Sequence, residues 1–134
     1  MSVARDIGSF LADRGFGTPG DDLFFGFMPD SPDCMTGVFE YAGQPSLPTA
    51  GIHRPGLQIR VRDTDYEAAA WRIASIHDAL SRIGCEGDEE YAGGADIAGT
   101  RYFLIAPVQS AFPLGRDDAG RVEFAQNFVA YLRR

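Results

Sequence analysis

The 134-residue chain has the length of one ordinary domain and can bury a core, and its 45% hydrophobic and 12% aromatic content argues against wholesale disorder. Its formal charge is −7 and all 12 basic residues are Arg, so it lacks the Lys/Arg cluster that grips nucleic-acid phosphates. Two distant cysteines, Cys34 and Cys85, argue against a disulfide framework or zinc site, and no apolar run approaches the ~20 residues of a membrane span. The start, MSVARDIGSF, carries charge where a signal peptide needs an apolar run. The expectation is a soluble intracellular product with reduced thiols.

In chain order, Val3, Ile7, Phe10 and Leu11 form the apolar stripe of a helix over 3–14, stopped at Gly15. Residues 15–22 are turn chemistry, and LFFGF (23–27) reads as a short buried strand. The two prolines and two aspartates of 28–34 make a loop, and TGVFEYA (36–42) returns to strand composition. GQPSLPTAGIHRPG (43–56), which holds His53 and Arg54, has no periodicity. It is either an exposed loop or a binding or assembly loop. Then Leu57, Ile59 and Val61 alternate with Gln58, Arg60 and Arg62, the period of two of a half-buried strand.

The period changes after Asp63. Thr64 and Glu67 have the spacing of a capping box. Tyr66, Ala69, Ala70, Ile73, Ile76, His77, Leu80 and Ile83 follow on one helical stripe, with Gly84 placed to end it. Residues 85–100 are Gly- and acid-rich, and Asp88, Glu89 and Glu90 read as a solvated charge run, because the ligand order of a calcium loop is absent. A strand over 101–112, with Pro107 implying a bulge or edge, a turn over 114–121 and a final strand over 121–132 complete the chain. The last two strands are expected to form an antiparallel hairpin. The expectation is one α+β domain spanning 1–134, a mostly antiparallel sheet of about five strands with two helices packed on one face.

Chemistry is sparse. No nucleophile elbow, zinc-helix, phosphate-loop or dinucleotide motif is present, and the Asp/Glu pairs lie in turns, so no catalytic, metal or cofactor residues are expected. His77 sits on the apolar stripe and reads as a satisfied boundary histidine. Trp71 lies about 160° round the helix from that stripe, in the company of Ser75, Asp78 and Arg82. It either packs under the 43–56 loop or anchors a protein contact. Arg60 and Arg62 project from the non-core face of their strand, to pair with acids of the same chain or of a neighbour.

Three segments in this order, LFFGFMPDSPD (23–33), YAGQPSLPTAGIHRPGLQIRVRDTDYEAAAWRIASIHDAL (41–80) and GTRYFLIAPVQSAFPLGRDDAGRVEFAQNFVAYL (99–132), resemble the minor capsid proteins of tailed bacteriophages, of the tail-terminator and head–tail completion kind. The resemblance implies a small α+β virion protein without catalysis or cofactor, assembled in the bacterial host cytoplasm. Its implied partners are further copies of itself in a ring, a hexamer, together with the tail tube and head-completion or connector proteins. DNA would pass without specific binding, and no membrane is involved. Arg60, Arg62, Arg116 and Asp117, in the matching segments, are the expected interface residues, joined by Trp71, Arg82, His53 and Arg54. Two rival readings stay open at this point: a non-virion adaptor of prophage origin, and, further off, a hydrolase.

Overall fold

The alternation at 57–62 becomes the middle of the sheet. In a computed structural model that describes residues 2–134, the elements are α1 (Val3–Asp13), β1 (Leu23–Phe25), β2 (Met35–Leu47), β3 (Ile52–Asp63), α2 (Tyr66–Ser81), β4 (Ala95–Ile97), β5 (Thr100–Pro107), β6 (Phe112–Arg116) and β7 (Val122–Arg133). The strand order is β1-β2-β3-β7-β5-β4, and β6 pairs the N-terminal half of β7 while β5 pairs its C-terminal half. The α+β class is as expected, but the sheet has seven strands, and β1 runs parallel to β2.

Three local features explain the difference. The segment expected as one strand at 101–112 breaks after Pro107, which has no N–H to continue the ladder, so β5 and β6 are separate. Part of the expected 114–121 turn is thus β6. The acidic connection contains β4, three residues paired with β5. The 43–56 segment is no irregular loop either: β2 and β3 continue into it as an antiparallel arm, kinked by register shifts at Tyr41/Gln44 and Gln44/Leu47. Its exposure is as expected over residues 43–51, whereas Ile52, Arg54 and Pro55 are half-buried and Gly56 is buried.

Both helices cover the same face. Val38, Ile59, Val61, Phe124 and Phe128 alternate inward along paired strands and share one core with Val3, Ile7 and Leu11 of α1 and Ala69, Ile73, Ile76 and Leu80 of α2. α1 touches both β1 and β4, the two ends of the strand order, so the sheet curls round it. Glu40 of β2 reaches the start of α1, where its Oε1 accepts from the backbone N–H groups of Val3 (2.9 Å) and Ala4 (3.3 Å). A carboxylate at that end complements the helix dipole.

Under α1 lies a buried polar pair that sequence reading missed. The Tyr102 hydroxyl donates to Asp6 Oδ2 at 2.6 Å. Burial first, and then this bond, push the Tyr102 hydroxyl far above its usual pKa.

The start of α2 differs by one residue from the expected box. Asp65, not Thr64, is the N-cap, its carboxylate accepting from Ala68 N–H at 3.0 Å. Gly84 ends the segment as expected, with φ +80°. A Cβ there would lie 2.3 Å from the Phe103 carbonyl oxygen, so both the left-handed backbone and the close approach require glycine. The stripe is buried at Ala69, Ile73, Ile76, Leu80 and Ile83, whereas Tyr66 lies at its edge, against the Phe124 ring. His77 is satisfied as expected. Its Nδ1 meets Gln126 Nε2 at 2.8 Å, which also explains why Gln126 breaks the apolar parity of β7. That amide further donates to the Gln109 carbonyl and holds the β5–β6 turn.

Candidate assembly surfaces

The face of the sheet away from the helices carries the polar residues of the central strands. Gln58 Nε2 donates to Asn127 Oδ1 (2.9 Å) and Arg60 pairs with Glu123 (3.0 Å), each across the β3–β7 ladder. Arg60 is half-buried, with Phe39 on its other side. Both arginines project from this face as expected, but only Arg60 is partly open to solvent there.

Arg62 is covered instead, at 5% exposure. Its Nη2 donates to the carbonyls of Pro29, Asp30 and Pro32, and its Nε to that of Asp33. The 28–34 loop therefore lies across this face, pinned by a guanidinium. Arg121, which sequence reading missed, is the second pin. It is buried, pairs with Asp30, Asp33 and Asp117, and donates to the Asp30 carbonyl. The planar five-donor fork of Arg suits such convergent acceptors, and Lys would not replace it. Arg62 thus serves its own chain rather than presenting itself to a neighbour.

The remaining expected residues fall in three places. His53 and Arg54 sit on the arm, where His53 Nδ1 meets Ser46 Oγ (3.1 Å) and Arg54 clasps the Pro45 carbonyl and Gln44 Oε1 across the hairpin. The tip is tied down by Arg133, which donates to the Ala50 carbonyl at 2.8 Å. Arg116 and Asp117 build the β6–β7 turn. Arg116 donates to the Gly120 carbonyl, and Asp117 accepts from the backbone N–H groups of Ala119 and Arg121. That backbone bond from Arg121 is the largest of the effects holding the Asp117 carboxyl below its usual pKa, despite some opposing desolvation.

Arg82 folds back on the acidic connection, pairing with Asp88 (2.9 Å) and Glu90 (3.6 Å) and lying over the Tyr91 ring. Its hydrogen bond is the main reason the Asp88 carboxyl is depressed. The acidic stretch is therefore a partly neutralised run. Among the described residues no group of three or more His, Cys, Asp or Glu side chains is arranged to hold a metal ion. Cys34 and Cys85 are free thiols.

Trp71 is the residue that stands apart. It is 72% exposed, far from any packing under the arm. Of the large apolar side chains left outside the core, Phe27 and Val108 come next at 57%. Phe27 was expected in a buried strand over 23–27. β1 stops at Phe25, and Gly26, at φ +80°, turns the next residue outward. The glycine inside LFFGF was the available signal.

The arm, the Trp71 side of α2 and the Phe27 edge are thus the exposed surfaces that the monomer leaves uncovered. No curated protein matches the chain. A family model described as bacteriophage tail terminator protein matches residues 10–133.

Proposed function

Because the chain belongs to the bacteriophage tail terminator protein family, a structural and non-enzymatic one, we propose that it is a virion component that closes the end of a phage tail. It acts as one domain in a homo-oligomeric ring, a hexamer, seated on the tail tube and facing the head-completion or connector proteins. The observation that carries this reading is Trp71: an indole left 72% exposed on the polar side of a helix is of a residue type enriched among the anchors of protein interfaces. The solvent-exposed arm supports the same reading, since a hairpin held in place by Arg133 presents a preorganised surface to a neighbouring subunit. The charge of −7 fits a ring that DNA traverses without adhering, because like charge repels phosphate.

The test is addition of the purified protein to polymerising tail tubes of its own phage. The expected result is protein at tube ends only, with elongation stopped. Binding along the whole tube, or elongation that continues unchanged, would count against the proposal.

A further inference from the structure

Two exposed apolar features are left largely uncovered by the described residues, and they differ in shape. The first is a knob. Trp71 stands on the outward side of α2, and the helical neighbours on that side are small or acidic. Ala68, Ala74 and Ser75 leave the indole unobstructed, with Glu67 one turn before it and Asp78 two turns after it on the same face. Neither carboxylate has a hydrogen-bond or ion-pair partner among the described residues. On its other side the indole borders the 15–22 loop, where Trp71 and Arg72 line one cleft with Phe16 and Asp22.

The second feature is a hole. At the free edge of β1, a cleft of about 420 Å³ is lined by Arg5, Pro19, Leu23, Phe24, Phe25 and Phe27. Its aromatic wall is built by Phe24 and Phe27, whose ring centroids lie 5.5 Å apart. Arg5 is exposed, its guanidinium 5.5 Å from the Phe25 ring centroid, and it has no carboxylate partner among the described residues. The hole therefore offers Arg5, a cation with no ion-pair partner among the described residues, and the exposed face of the knob offers Glu67 and Asp78, two such anions, while Arg72 lies on the side of the indole that borders Asp22.

We infer that the Trp71 knob of one copy seats in the Phe27 cleft of a second copy of this chain, with Arg5 facing Glu67 and Asp78. The inference rests on the ring reading above and names the contact that makes the ring. Copies that each carry −7 repel one another, so a stable contact has to set local positive charge against local negative charge. This pairing does so with groups that have no ion-pair partner among the described residues. Seating the indole also removes two exposed aromatics from water at once, next to a cation that favours ring faces. Knob and hole flank the same 15–22 loop, and seating in one direction only makes the contact heterologous, whereas reciprocal seating would stop at a two-fold dimer. Each copy then uses both halves, and repetition gives a ring when the rotation closes.

Charge reversal tests the seat. Self-association is measured by sedimentation across a concentration series for the wild type, Trp71→Ala, Arg5→Glu, Glu67→Arg/Asp78→Arg, and the combination of all three reversals. Near-ultraviolet circular dichroism checks that each variant is folded. Trp71→Ala and each one-sided reversal are expected to weaken association about tenfold or more, and the combined reversal to return within about threefold of wild type. A one-sided reversal that assembles like the wild type, or a combined variant as weak as its parents, overturns the seat while leaving the ring reading standing. A wild type that stays monomeric at every concentration removes the ring reading itself, and the seat with it.

Discussion

Ile73→Asp is expected to leave the chain unfolded. Ile73 sits at the centre of the α2 stripe, 2% exposed, in one core with residues of β3, β5 and β7. A carboxylate there would have no donor within an apolar cluster, and burying an unpaired charge costs several kcal/mol even after relaxation. The isoleucine packing is lost as well, at about 2–5 kcal/mol for a large aliphatic side chain. Against a total stability of about 5–15 kcal/mol for an ordinary domain, the two together remove most or all of the native population. Far-ultraviolet circular dichroism and dispersion of the amide NMR spectrum read the outcome. A soluble Ile73→Asp protein with native spectra would mean that α2 presents a different side to the sheet.

Arg62→Ala is expected to cost about 2–4 kcal/mol and to free the 28–34 loop from the sheet. The guanidinium donates to four backbone carbonyls of that loop, those of Pro29, Asp30, Pro32 and Asp33. The loss stays below the sum of four charged hydrogen bonds because a released loop regains water at its carbonyls. Arg62→Lys should rescue little, since one ammonium cannot span acceptors that a planar fork reaches together. Urea denaturation gives the stability change, and hydrogen exchange at 28–34 gives the release. A loss under about 0.5 kcal/mol with the loop still protected would show that Arg121 alone suffices as the pin.

These two residues mark how far the sequence could be read. Ile73 was legible because helical spacing alone says which side of an amphipathic helix meets the core, and the same holds for the inward set of β3 and β7. Arg62 was legible only by half. Its alternation placed it correctly on the side of β3 away from the core, but the period of two cannot say whether solvent or another segment lies there. The answer came from the 28–34 loop, thirty residues away, whose carbonyls needed a donor. The same limit applies to Asp6 and Tyr102, which meet across 96 positions with no local signal. β4 and β6 were misjudged for a different reason: strands of three and five residues carry too little periodicity to be separated from turns, and only Pro107 marked the break that ends β5.

The candidate surfaces show the same division. Trp71 was legible because a lone indole on a polar helical face contradicts the amphipathic pattern, and it proved to be the most exposed of the large apolar side chains described. His53, Arg54, Arg116 and Asp117 lie in segments that resembled the family, yet within the monomer they hold the arm and the β6–β7 turn. Phe27 was hidden inside an apolar run. A hydrophobic residue is read as core until the backbone shows which way it turns, and Gly26 turned it out. A fold is specified largely by what a chain buries, whereas an assembly surface consists of what it fails to bury, which becomes visible only once the core is complete.

The central claim is that this leftover surface joins copies of the chain. Light scattering coupled to size-exclusion chromatography, run from dilute to concentrated wild-type protein, tests it most directly. The account predicts a discrete species at six times the mass of one chain, populated increasingly with concentration. A single species at the mass of one chain throughout, with Trp71 fluorescence unchanged between the dilute and concentrated ends, would contradict it.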